Sequence, residues 1–264
     1  MTHAILMNRG FVRVSGGQAS AFLQGLLTCD VEKITPEQAG FGGLLTPQGK
    51  ILVDFLIYST DLGYILDCPQ DLAADLTKRL GFYKLRAKVL IENLSGQFHV
   101  EARWEEPGTE GWNDPRHAGM GQRILREGPA SGDEAAYQAH RISLGVAQGG
   151  IDYVYGDTFP HEGNFDRFGG VDFTKGCYIG QEVVSRMEHK THIRKRVVDV
   201  TFSGEALTLG AEVTAGELAI GRMGSSVAGM GLALLRLDRA EAAKAENMPI
   251  LVEGCEIRVG QGQI

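Results

Sequence analysis

Paired cysteines are missing from this chain. Its four cysteines, Cys29, Cys68, Cys177 and Cys255, include no C-x-x-C pair. That excludes the usual zinc knuckle and a disulfide framework, leaves no metal-binding set, and suits a reducing setting. Net positive charge is also missing: 26 Lys and Arg against 33 Asp and Glu give −7. A wholesale cationic nucleic-acid binder is excluded, while a local basic patch is not. No run approaches the roughly 18 apolar residues of a spanning helix, so no membrane partner is expected. The segment from Met1 to Gly10 is too short and polar for a signal peptide. It also lacks the Arg- and Ser-rich character of a transit peptide. The expectation is a soluble cytoplasmic protein. A phosphate loop is absent too: around Gly49-Lys50, Leu44 stands at the first glycine position and Ile51 at the Ser/Thr position.

What is present suffices for a real core. The chain has 264 residues, 43% of them hydrophobic, which fits one large domain or two smaller ones. Its 36 glycines follow no strict period and point to many turns between short elements.

Phe11 to Val14 reads as a strand and Ser15 to Leu27 as a helix, with Ser20 a cap and Phe22, Leu23, Leu26 and Leu27 its apolar stripe. Leu44-Leu45 and Ile51 to Tyr58 flank Thr46-Pro47-Gln48-Gly49, a hairpin signal. Tyr64 to Leu66 is a strand. A helix then starts near Pro69 or Gln70, burying Leu72, Leu76 and Leu80, and Lys84 to Ile91 returns as a strand. This alternation indicates helices on a mostly antiparallel sheet, an α+β sandwich. Phe98 to Trp104 is a strand candidate, Glu105 to Arg116 a loop, Tyr137 to Leu144 a helix, and Gly149 to Gly170 a long turn-rich passage. Beyond Lys190, short β-like segments separated by glycine run to about Leu237 and again over Ile250 to Val259, the pattern of a small all-β barrel.

Lys175-Gly176-Cys177-Tyr178-Ile179-Gly180-Gln181-Glu182 is the segment that carries chemistry. Its glycines permit a tight turn or close approach to a ligand. From Gln181 the spacing of Val183, Val184 and Met187 predicts a helix, with Glu182 in its first turn and Arg186 placed to pair with it. Cys177 thus precedes a helix N-terminus and follows Lys175 by two residues, and both features favour a thiolate. Such a thiolate serves as nucleophile, metal or cluster ligand, or redox centre. The plain alternative is a small buried hydrophobe.

The eight-residue segment resembles the signature K-G-C-[YF]-x-G-Q-E of the YgfZ family, whose members bind folate and support iron–sulfur assembly and tRNA modification. That family is related to the T-protein of glycine cleavage, an aminomethyltransferase. Phe22-Leu23-Gln24-Gly25-Leu26-Leu27-Thr28-Cys29-Asp30-Val31, Leu45-Thr46-Pro47-Gln48-Gly49-Lys50, Ala219-Ile220-Gly221 and Gly231-Leu232-Ala233-Leu234-Leu235-Arg236 resemble further family segments in the same order. The resemblance implies a GcvT-like α+β fold: two ferredoxin-like halves and a C-terminal β-barrel arranged as a ring. Residues 1–193 would form the folate-binding region, split near 95, and residues 194–264 the barrel. It implies tetrahydrofolate as cofactor, Cys177 as the functional thiol, and Lys175, Tyr178, Gln181, Glu182 and Arg186 shaping the site. Glu162 and Asn164, with Asp166, resemble the family's E-x-N-x-D and would meet a pterin edge. The implied partners are folate, iron–sulfur enzymes or assembly factors, and tRNA-modifying enzymes.

Two other patterns need weighing. Arg186, His189, Lys190, His192, Arg194, Lys195 and Arg196 form a basic segment, read as a solvated helix end or as an anion site. His161, His189 and His192 are conceivable bases for Cys177, but no orienting group or oxyanion donor is identifiable. The alternative function is aminomethyl transfer. Its R-[LI]-E-A-G segment aligns with Arg141-Ile142-Ser143-Leu144-Gly145, so Ser143 stands where a carboxylate is expected. Leu66-Asp67-Cys68-Pro69 replaces its N-A-G-N-like strand end.

Overall fold

The computed structural model describes residues 3–105, 108, 110–128, 131–190 and 193–260. Strands come first: β1 (His3–Leu6), β2 (Arg9–Ser15), β3 (Gly40–Leu45), β4 (Ile51–Thr60), β5 (Gly63–Pro69), β6 (Leu90–Asn93), β7 (Phe98–Arg103), β8 (Trp112–Asn113) and β9 (Gln122–Glu127). They form two antiparallel sheets, in the orders β3-β4-β5-β2-β6 and β1-β7-β9-β8.

The first sheet is buried on both faces, and the two-residue period of a strand sorts its side chains. On β4, Val53, Phe55 and Ile57 meet Ala19 and Leu23 of α1 (Ala19–Gln24) and Leu76 and Leu80 of α2 (Ala73–Lys84). Leu56 and Tyr58 point the other way, into a core shared with Val100 and Ala102 of the second sheet, Trp104 just beyond it, and Tyr137 of α3 (Ala135–Ser143). Each of these large side chains contributes about 1.5–3 kcal/mol on burial. The same alternation turns Asp54 and Asp67 toward that inner face.

After α4 (Gln181–Lys190) the chain enters β10 (Lys195–Phe202), β11 (Glu212–Ala215), β12 (Leu218–Val227) and β13 (Met230–Arg236). Then α5 (Leu237–Ala245), β14 (Ile250–Val252) and β15 (Cys255–Val259) complete a closed barrel in the order β10-β13-β12-β11-β14-β15. Closure leaves no free strand edge. Val198, Val200, Ala233 and Leu235 fill the barrel. Their neighbours Val197, Leu232 and Leu234 face outward and join the core under the second sheet. The α+β class with a C-terminal barrel is therefore the one expected.

Local boundaries differ for physical reasons. The first helix covers only Ala19–Gln24, because Gly16 turns the chain at φ +106, where an added Cβ would lie 2.6 Å from the Lys88 carbonyl. Its cap position is Gln18, so Ser20 is not a cap. The strand read from Lys84 starts at Leu90, since α2 runs on to Lys84 and stops at Leu85 with φ 44. Reading the sequence missed β1, β9 and α5, and it gave as loop the segment that holds β8. In α5 the contact surface is Ala240 and Ala243, too small to give a strong apolar stripe.

Candidate functional site

The cysteine motif lies on irregular backbone held from several sides. The Thr28 hydroxyl donates to the Gly170 carbonyl (2.5 Å), and the Asp172 amide donates to the Thr28 carbonyl (2.9 Å). The carboxylate of Asp172 then accepts from the Thr174 and Lys175 amides at 2.8 and 3.0 Å and from Lys33 Nζ at 2.5 Å. Lys175 folds under the motif. Its Nζ donates to the carbonyls of Gln24, Leu27 and Cys29 at 2.8, 2.7 and 2.7 Å, which uses all three ammonium protons. Burial lowers its pKa. Lys175 thereby ties the motif to the end of α1. Lys175→Met should cost about 3 kcal/mol, because three buried carbonyls lose a charged donor. A urea midpoint unchanged by that substitution would refute the assignment.

Cys177 is exposed. Burial pushes the thiols of Cys29 and Cys68 up to about 12, and Cys255 is half-buried. Cys177 lines an open cleft of about 430 Å³ with Pro47, Tyr83, Tyr178, Ile179, Gly180, Gln181 and Glu182. Gly180, at φ +81, allows the motif to meet the β3–β4 turn, since a Cβ there would sit 2.7 Å from the Thr46 carbonyl. The helix starts at Gln181, as its spacing predicts, with Glu182 in its first turn. Tyr178 is buried with its ring 5.5 Å from Lys175 Nζ, and burial raises its phenol pKa. Arg186 is exposed on α4.

Glu162 and Asn164 sit elsewhere and do other work. Glu162 accepts from the Phe159 amide at 2.8 Å, and its carbonyl accepts from the Val197 amide at 2.9 Å. Buried Asn164, at φ +62, donates to the Val197 carbonyl (2.8 Å) and accepts from Arg196 (2.9 Å). Both Asp166 oxygens accept from Arg196 at 2.8 Å. These groups fasten the barrel to the body, and neither Glu162 nor Asn164 borders the central pocket described below. Arg196, expected in the basic segment, is one of these buried fasteners. His161 is buried, pairs with Glu188 at 3.0 Å, and does not line the cleft that holds Cys177. Together with Asp166 these two place ligand atoms within 4.8 Å of one another, but the Arg196 cation already occupies Asp166. His189 is exposed, and His192 and the Lys190 side chain lie outside the described residues.

Sequence reasoning missed a second site at the meeting of the two sheets and α3. A narrow pocket of about 40 Å³ there shares Asn8, Arg9, Pro69, Gln148, Gly149 and Tyr155 with a neighbouring cleft of about 650 Å³. Arg9, Asp54, Arg116, Arg123, Tyr137 and Tyr155 border the pocket. Behind it, Asp67 accepts from Arg9 Nε (2.5 Å), the Tyr58 hydroxyl (2.6 Å) and Arg123 Nη1 (3.3 Å). Asp114 is shared by Arg116 (2.6 Å) and Arg123 (3.1 Å). Cys177, Lys175, Tyr178, Gln181, Glu182, Arg186, Glu162 and Asn164 border neither the pocket nor its cleft. The thiol and the central cavity are two sites, where one had been expected. A signal was legible: Asp67 falls at an inward position of a buried strand, which a carboxylate occupies only with partners.

The fold and these sites can be set against known proteins. The family described as CAF17, C-terminal beta-barrel domain, matches residues 194–261. Over the whole chain, the architecture is that of glycine cleavage system aminomethyltransferase T from Bartonella henselae. The TM-score is 0.75 at 14% identity, covering 99% of this chain and 86% of that one, a likeness of fold. Human iron–sulfur cluster assembly factor IBA57, mitochondrial, is 35% identical over 87% of this chain and 76% of its own length. The chain belongs to the IBA57 family. The mouse member is 34% identical with 76% of its length covered. The Mycosarcoma maydis homologue is 33% identical, and this chain spans 56% of its length.

Membership corrects the cytoplasmic expectation, because these IBA57 relatives are mitochondrial factors. Unpaired cysteines report a thiol-preserving setting and do not distinguish one such compartment from another. Among the described residues no helix is long and apolar enough to cross a membrane.

Proposed function

We propose that this chain supports assembly or repair of iron–sulfur clusters and the maturation of enzymes that carry them, tRNA-modifying enzymes included. The observation that carries this reading is the exposed Cys177 on a motif pinned from below, in a chain whose relatives are cluster assembly factors. Thiolate sulfur is the preferred protein ligand for iron–sulfur clusters. A fixed loop holds that sulfur ready without an ordering cost when a cluster-bearing partner arrives. The direct test is rescue: in cells lacking the chain's counterpart, the intact chain restores iron–sulfur enzyme activity. Failure to restore any such activity would end the proposal.

Tetrahydrofolate belongs to the central cavity in this reading, as it would in a YgfZ-like protein. The combined space suits a ligand of that size. Phe41 and Tyr137 line it with aromatic rings, and the Asp54 carboxylate, which accepts from the Tyr155 hydroxyl through one oxygen, has the other to offer the N–H groups of a pterin. Gly149 permits close approach at the rim, where a Cβ would collide with Tyr155. Bound tetrahydrofolate supplies a reduced heterocycle able to carry a one-carbon unit. Anaerobic calorimetry should show one-to-one binding, weakened at least tenfold by Asp54→Ala. No heat at millimolar ligand would remove the folate role and leave the cluster role standing.

Aminomethyl transfer gains nothing from the geometry. Ser143 is exposed and donates to the His140 carbonyl, and Arg141 is locked to Asp152 at 2.9 Å and to the Val146 carbonyl at 3.1 Å. The transferase resemblance therefore resides in the fold.

A further inference from the structure

On the outer wall of the barrel, a cleft of about 280 Å³ is bordered by Lys195, Arg222, Arg236 and Arg239, and by no carboxylate. These cations come from three strands and a helix of a chain whose net charge is −7. Lys195 and Arg236 are directly opposed across the β10–β13 pair. Like charges in that position destabilise a sheet. Two of the guanidinium groups are held in place. Arg236 spends its Nε–Nη2 fork on Asp238, at 2.9 and 2.6 Å, which offsets its charge and leaves Nη1 to the cleft, and Arg239 donates to the Ala219 carbonyl at 2.5 Å. Lys195 faces Arg236 and no acid across its strand pair, while Arg222 stands opposite Glu212 across β11–β12.

We infer that this cleft binds a phosphate-rich anion, at a site separate from both the thiol and the central cavity. Oriented guanidinium forks match phosphate oxygens in pairs, and an ammonium adds a movable point charge. The floor formed by Ala219, Ile220, Gly221 and Leu234 presents no competing acid. A free polyphosphate and the backbone of an RNA share the required chemistry.

The probe is sodium tripolyphosphate, titrated at low salt into the full chain. One-to-one binding is expected. It should weaken at least tenfold in Lys195→Gln/Arg222→Gln and persist in Arg86→Gln, an exposed cation elsewhere on the surface. Both cleft positions are exposed, so melting temperatures should stay close to that of the parent. Arg222→Gln alone serves as the second variant. An RNA hairpin that displaces the probe, with a salt dependence about one unit shallower per cation removed, identifies a nucleic-acid backbone as the source. A hairpin that fails to displace it identifies a free polyphosphate. Absence of tripolyphosphate binding at millimolar concentration, or equal weakening in Arg86→Gln, overturns the inference.

Discussion

Serine in place of Cys177 should abolish rescue of iron–sulfur enzymes while moving the melting temperature by no more than about 2 °C. The side chain is exposed and sits on backbone fixed by Asp172 and Lys175, so the fold does not depend on its sulfur. A serine hydroxyl keeps the size but is neither soft nor ionised at neutral pH, so it cannot replace a thiolate on iron. The remaining cysteines cannot take over. Cys29 and Cys68 are buried, with thiols pushed up to about 12, and Cys255 is on the last barrel strand, donating to backbone carbonyls. Paired measurements of melting and of iron–sulfur enzyme activity in the rescued strain decide the matter. Full activity in the serine strain would remove the thiol from the function. Loss of activity in Cys255→Ser alone would move the reactive sulfur to the barrel.

Much of the fold was legible because its strands carry period-two patterns and its turns carry glycine. Helix α2 was readable from Leu76 and Leu80, though Leu72 precedes it and is only half-buried, and the barrel from the alternation around Val198, Val200 and Phe202. The site was legible only in part. The motif and its helix start stand in the sequence. The direction in which Lys175 points does not, because its three acceptors lie about 150 residues away in the chain and only the fold brings them beneath it. Glu162, Asn164 and Asp166 pose the same difficulty. A polar triplet in a loop looks identical whether it faces a ligand or Arg196. The central cavity was harder still, since its charges are scattered singly over β2, β4, β5, β9 and the segment around Asp114. Separation of the thiol from that cavity is a consequence of the fold. The motif is tied to the end of α1 and the β3–β4 turn, whereas the cavity opens on the opposite face of the first sheet, beside α3.

Arg123→Met should be the most destabilising of the single substitutions considered, by about 3–5 kcal/mol, because it removes one member of a buried ionic network and leaves its partners in place. Arg123 is 3% exposed and joins three elements: it bonds Asp67 on β5, Asp114 near β9, and the Tyr137 hydroxyl on α3 at 2.5 Å. Burial alone would raise the Asp114 carboxyl. Arg116 and Arg123 instead hold it well below the usual carboxylate range. With methionine at 123, Asp114 keeps Arg116 and Asp67 keeps Arg9, so the chain should still fold, with a melting temperature lower by roughly 10 °C. The loss should also be coupled: in a double-mutant cycle with Asp114→Asn, the two costs should fall short of additivity by more than 1 kcal/mol, since the substitutions break the same contact. Simple additivity would mean that Arg123 acts through its packed stem alone. A change below about 1 kcal/mol would mean that water enters the central cavity and takes over the role of the guanidinium.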